Sequence, residues 1–129
     1  MIAIYNADEL LDNIKFVPLE ENTLEQLQDI VGGYIEMPYL ATEIEKHGMQ
    51  IVCNEEGKYN GSEPTLAVTD KGKIYDIIYG NIAFVNIDEE EGVTTDLTEE
   101  QIAFLKEKFN SDNAKYILPY FIKTIEVKA

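Results

Sequence analysis

The chain has 129 residues, with 25 acidic side chains against 10 basic ones, a formal net charge of −15, and 45% hydrophobic residues. That length and apolar content suit one domain, residues 1–129, able to bury roughly two thirds of the surface its unfolded form exposes. No stretch approaches the ~20 apolar residues of a membrane span, Met1 is not followed by a signal-like segment, and the lone Cys53 excludes an internal disulfide or a Cys-rich zinc site, so a soluble protein of a reducing cytoplasm is expected.

Every basic residue is a lysine, so the planar guanidinium that grips phosphate in two-point fashion is missing from the chain. The field of −15 repels DNA, RNA and anionic lipid. Lys71 and Lys73, like Lys106 and Lys108, are diluted by Asp70, Asp76 and Glu107, so neither direct nucleic-acid binding nor membrane binding is expected.

Ile2–Tyr5 and Ile14–Leu19 read as two edge-type strands, with at most one helical turn between them at 7–12. Thr23 and Gln26 stand three apart as a capping box, Leu24, Leu27 and Val31 follow at helical spacing, and Gly32 suits the left-handed residue past the end; a helix over 23–31 follows. Tyr34–Leu40 alternates like a strand. Met49–Asn54 is another, closed by the turn Glu55-Glu56-Gly57-Lys58 and able to pair with the strand before it. Residues 57–73 hold Gly57, Gly61, Pro64 and Gly72 and read as an exposed loop broken only by Leu66-Ala67-Val68. Tyr75–Ile78 and Asn81–Ile87 are strands around Gly80. A second helix over 98–109 has a Thr98/Gln101 capping box, a Leu97/Ile102 staple, acidic residues at its start and lysines at its end. The tail 110–129 reads as extended with a break at Pro119. These elements make an α+β fold: one mixed, mostly antiparallel sheet of six or seven strands with two helices.

Four motifs, in order, carry a resemblance: Val31-Gly32-Gly33-Tyr34-Ile35-Glu36, Asn54-Glu55-Glu56-Gly57-Lys58, Gly80-Asn81, and Leu97-Thr98-Glu99-Glu100-Gln101-Ile102. Together they resemble the domain-of-unknown-function family 3846 of bacteriophages, plasmids and other mobile elements, over residues 14–109. The chain departs from the family at Pro64-Thr65-Leu66-Ala67, where members usually carry an Asn near an Ala. The resemblance implies a small cytoplasmic protein of mobile-element origin and supplies no activity.

Catalytic chemistry finds few carriers. His47 is the only histidine and lies among Glu43, Glu45 and Lys46, where a solvated surface role is expected; Cys53 sits at an apolar strand position, as a small hydrophobe would. Asp88-Glu89-Glu90-Glu91 lacks the alternating ligands and central glycine of a calcium loop. No catalytic residue, metal or cofactor is therefore expected.

Binding has better material. Asn54, Glu55 and Lys58 stand at a strand end beside a glycine-rich loop, Gly32 and Gly33 offer backbone N–H groups, and Tyr34, Tyr59 and Tyr79 can stack on a base. Asn60 and Thr65 in the loop and Asn81 after Gly80 complete the candidate ligand-binding set. Three functions compete. The first is a non-enzymatic counter-defence sponge that sequesters a nucleotide-derived immune signal as a homo-oligomer. The second is an acidic DNA mimic or inhibitor of a basic host restriction or recombination enzyme, which would need Glu20, Glu21, Glu25, Glu89–Glu91, Glu99 and Glu100 along one face. The third is a scaffold of the mobile element using an apolar patch near 116–125.

Overall fold

The computed structural model describes residues 1–6, 14–110, 116–117 and 122–127. The helical turn considered at 7–12 and the break at Pro119 lie outside them.

Alternation along apolar strands builds the first layer. Strand β1 (Ile2–Tyr5) pairs antiparallel with β2 (Lys15–Val17) on one side and with β7 (Ile82–Asp88) on the other. It is thus an interior strand, and of these two only β2 is an edge, because Ile2, Ala3 and Tyr5 are too apolar for a solvent-facing edge. Strand β4 (Met49–Asn54) flanks β7 on its other side and is followed by the short edge β3 (Ile35–Glu36). The register aligns Ala3, Phe84 and Ile51 in one row, and Ile4, Ala83 and Val52 in the next. Because successive side chains point to opposite faces, the two rows enter two different cores.

Helix α1 (Thr23–Val31) closes the second of these cores with Leu27 and Val31 against Ile2, Val52, Ala83 and Val85. Its predicted span holds, and Gly32 ends it with φ +79°. The cap differs from the sequence reading. Asn22, one residue earlier, accepts from the Glu25 N–H at 3.2 Å, while Gln26 is buried and braces the incoming loop, donating to the Pro18 carbonyl at 2.9 Å and accepting from the Glu20 N–H at 3.0 Å.

The opposite face of the sheet receives α3 (Glu99–Asn110), which contributes Leu105 and Phe109, and a second sheet. The Thr98/Gln101 capping box forms as read: Gln101 N–H donates to Thr98 Oγ1 at 3.1 Å and Thr98 N–H to Gln101 Oε1 at 2.9 Å. Gln101 also reaches the His47 carbonyl at 2.8 Å, which joins α3 to a helix the sequence reading missed, α2 (Glu43–Lys46). Four residues show no periodicity, yet Thr42 and Glu45 make a capping box of their own.

The second sheet runs β6 (Lys73–Tyr79), β5 (Pro64–Asp70), β10 (Ile122–Glu126), β9 (Tyr116–Ile117). All its pairings are antiparallel except β5 with β10. Residues 64–70, expected to be mostly loop, form one of its two inner strands. Leu66 and Val68 enter the shared core and Thr65, Ala67 and Thr69 are buried on the other face, so the flanking glycines and threonines disguise a β-branched strand. Pro64 is tolerated because it opens the strand. The tail completes this same sheet. Short β8 (Val93–Thr95) pairs with the end of β7, so the architecture is α+β with two sheets where one was expected.

Candidate functional site

The two sheets expose edges on the same side: β3 of the first and β6 of the second. Between them opens a cleft of about 240 Å³. The first sheet supplies Glu36 and Pro38 from β3 and the residues after it, with Cys53 and Asn54 from the end of β4; the second supplies Asp76, Ile77, Ile78 and Tyr79 from β6. The turn after β4 roofs the gap with Glu55, Gly57, Lys58 and Tyr59.

Sequence dictates how that turn sits. Asn54 Oδ1 accepts from the Glu56 N–H at 2.7 Å, an Asx-type start, and the Gly57 and Tyr59 N–H groups bond back to the Asn54 and Glu56 carbonyls at 3.1 and 2.8 Å. Gly57 leaves little room for a side chain: a Cβ there would stand 3.0 Å from the Tyr79 carbonyl oxygen and 3.3 Å from that of Asn54, so the backbone would have to give by a few tenths of an ångström. Close backbone approach therefore presses the turn onto the end of β6. Lys58 then reaches Asp76, with Nζ 2.7 Å from Oδ1, and the same carboxylate oxygen accepts from the Ile77 N–H at 2.8 Å.

The cleft is electrically negative. Glu36, Glu55 and Asp76 face one ammonium, Lys58, and among the described residues Glu36 and Glu55 take part in no ion pair. Cys53 reports this field. Burial first, then the Glu36 and Asp76 carboxylates, push its thiol up to about 12, against a smaller opposing pull from Lys58. Lys58 itself is held above the ordinary lysine range by its hydrogen bond to Asp76. A neutral, buried thiol is a poor nucleophile. His47 stands at the end of α2, exposed, its ring stacked on Phe104 at 3.8 Å and its Nδ1 2.7 Å from the Glu43 carbonyl. Among the described residues no three His, Cys, Asp or Glu side chains are grouped to hold a metal ion.

Of the residues singled out from sequence, Asn54, Glu55, Lys58, Tyr59 and Tyr79 come together in this cleft. Gly32, Gly33 and Tyr34 line a separate shallow groove with Gln28 and Asp29. The N–H groups of Gly32 and Gly33, read as donors to a phosphate, are engaged by the Gln28 carbonyl at 2.8 and 3.1 Å, and they sit at the negative end of a helix. Asn60 folds its own loop, accepting from the Ser62 N–H at 3.1 Å; buried Thr65 donates to the Gly80 carbonyl at 2.5 Å. Asn81 donates to the Ile30 carbonyl at 3.3 Å and Asn54 to that of Val31 at 3.1 Å, so two presumed ligand readers serve the last turn of α1. Sequence reasoning missed Glu36, Pro38, Cys53, Asp76, Ile77 and Ile78 as lining residues. β3 and β6 have no pairing or pattern in common that would signal their meeting.

Two mostly antiparallel sheets, with helices on both faces of the larger one, make a small α+β domain with a carboxylate-rich cleft where the sheets meet. The chain belongs to the family DUF3846, a domain of unknown function, whose model matches residues 10–110. That match contains every cleft residue and leaves β9 and β10 outside it. No curated protein and no solved structure matches the chain. No described helix is long and apolar enough to cross a membrane.

Proposed function

We propose that this protein works by capturing a partner without chemical turnover, and that its partner is a basic protein held at the cleft between β3 and β6. The observation that carries this reading is the charge of the cleft: three carboxylates and one lysine, that lysine already committed to Asp76. A second anion entering such a site meets repulsion at short range; a cation meets attraction. The setting implied by the family resemblance, an accessory protein of a phage or other mobile element in a bacterial cytoplasm, suits stoichiometric inhibition of a host defence enzyme. Capture at a cleft is a narrower claim than DNA mimicry. Of the carboxylates a DNA mimic would align with Glu89–Glu91, Glu20, Glu21 and Glu25 accompany α1 and Glu99 and Glu100 open α3, helices on opposite faces of the first sheet, and this separation favours the cleft over one elongated stripe.

The sponge reading has one specific observation in its favour. Tyr59 is 88% exposed beside Lys58, so its ring is available to stack on a nucleobase. Such a ligand would have to be bound through base and ribose, with its phosphates directed away from Glu36 and Glu55.

Isothermal titration separates the two. A lysine- and arginine-rich peptide is expected to saturate the protein at about one equivalent, with affinity falling steeply between low and physiological salt. Cyclic dinucleotides and ADP-ribose derivatives are expected to give no heat. Saturable binding of one of these nucleotides, with none of the basic peptide, would transfer the proposal to the sponge reading. Recovery of a chemically altered ligand would refute capture altogether.

A further inference from the structure

Resting on the capture reading, we infer that the cleft is a reader of a single arginine side chain, which anchors the basic partner. Three features of the pocket suit that side chain. Ile78, on the same face of β6 as Asp76, and Pro38 give apolar surface for the three-carbon stem, which long basic residues bury while their heads stay polar. Asp76 and Glu55 offer carboxylates to a planar fork with five N–H donors, the geometry in which guanidinium surpasses ammonium. Tyr59, almost fully exposed at the rim, offers a ring face on which a guanidinium stacks.

The pocket also contains a stand-in for its guest. Lys58 places an ammonium 2.7 Å from Asp76 Oδ1, showing that a cation is accepted at that carboxylate. The stand-in is replaceable: the two side chains are 52% and 32% exposed, and ion pairs of that exposure contribute little. An incoming guanidinium that makes two parallel bonds to Asp76 displaces one point charge and returns it to water. Asp76 keeps its bond from the Ile77 N–H, so its position in β6 does not depend on Lys58. A consequence follows that no anion site shares. Lys58 competes with the ligand, so removing it strengthens binding.

The test titrates N-acetyl-arginine amide into isotope-labelled protein and follows backbone amide shifts, with N-acetyl-citrulline amide as the uncharged isostere. Saturable shifts are expected at residues 55–60 and 76–79 with arginine and none with citrulline. Lys58→Gln is expected to tighten arginine binding about two- to fivefold, the range that an exposed ion pair covers. Asp76→Asn, which retains an acceptor for the Ile77 N–H, is expected to weaken it about tenfold with the amide spectrum otherwise unchanged. Equal shifts with citrulline, weaker or unaltered arginine binding in Lys58→Gln, or arginine shifts confined to another surface would each overturn the inference. If the basic peptide still saturates the protein in those cases, capture stands and only the arginine anchor falls. Shifts of the cleft amides by a cyclic dinucleotide, abolished in Lys58→Gln, would overturn both.

Discussion

Asn54 distinguishes a residue that builds the site from one that reads a ligand. Its side chain donates to the Val31 carbonyl at 3.1 Å and accepts from the Glu56 N–H at 2.7 Å, so it ties the end of α1 to the turn that roofs the cleft. Asn54→Ala removes both bonds. Each is worth about 1 kcal/mol net, and the Val31 carbonyl, on a buried residue, also loses its partner; the sum is about 2–3 kcal/mol. At roughly 3–5 °C per kcal/mol for a domain of this size, the melting temperature should fall by about 6–15 °C. Asn54→Asp tests the mechanism. It keeps the acceptor for Glu56 but sets a carboxylate against a carbonyl at the negative end of α1, so at pH 7 it should be at least as damaging as alanine. The new carboxyl would have a folded-state pKa raised above its unfolded value of about 4, so the deficit should shrink as pH falls toward that value and the protonated oxygen becomes a donor again. Differential scanning fluorimetry from pH 3.5 to 8 measures all three proteins. A melting temperature for the alanine variant within about 2 °C of the parent would mean that water meets the Val31 carbonyl and that Asn54 is available to a ligand.

Four further outcomes follow from the same geometry. Because burial and the Glu36 and Asp76 carboxylates push the Cys53 thiol up to about 12, at pH 8 only about one molecule in ten thousand carries thiolate, against about one in ten for an ordinary cysteine; iodoacetamide should react about a thousandfold slower than with the urea-unfolded chain. The sign for stability is a loss at high pH. The unfolded thiol ionises from pH 9 and the folded one does not, so between pH 9 and 10.5 the parent should lose about 2 kcal/mol in urea titrations relative to Cys53→Ala. Gly57→Ala should cost about 2 kcal/mol, since its Cβ meets two backbone oxygens at 3.0 and 3.3 Å, whereas Gly61→Ala, with φ +83° and nothing within 4 Å, should cost about 1 kcal/mol from backbone strain alone; urea midpoints check the order. Lys123 is 3% exposed, donates to the Phe109 carbonyl in the last turn of α3 and lies 5.6 Å from the Tyr5 ring centre, so Lys123→Met should lower stability by about 1–3 kcal/mol in the same assay.

What was legible in the sequence was local. Helix α1 over 23–31, the capping box of α3, the left-handed Gly32, strand β4 and the Asn54–Lys58 turn follow from spacing and residue type, because each is decided by contacts within about four residues. Elements whose stability comes from elsewhere were misread. β5 carries threonines and a proline that resemble loop, and it becomes an inner strand because β10, more than fifty residues further along the chain, pairs with it in parallel on the side away from its hairpin partner β6. The same reason governs the site. Asn54 and Asn81 carry side chains suited equally to a nucleobase or to a helix end, and only the packing of α1 beneath them commits both to the Ile30 and Val31 carbonyls. Asp76, in sequence merely a neighbour that diluted a lysine pair, becomes the centre of the cleft because β6 lies beside the turn that carries Lys58. A residue's chemistry is set by its side chain. Which groups share a cleft, and whether a donor is left over for a guest, depends on long-range pairing between strands whose meeting leaves no periodic trace along the chain.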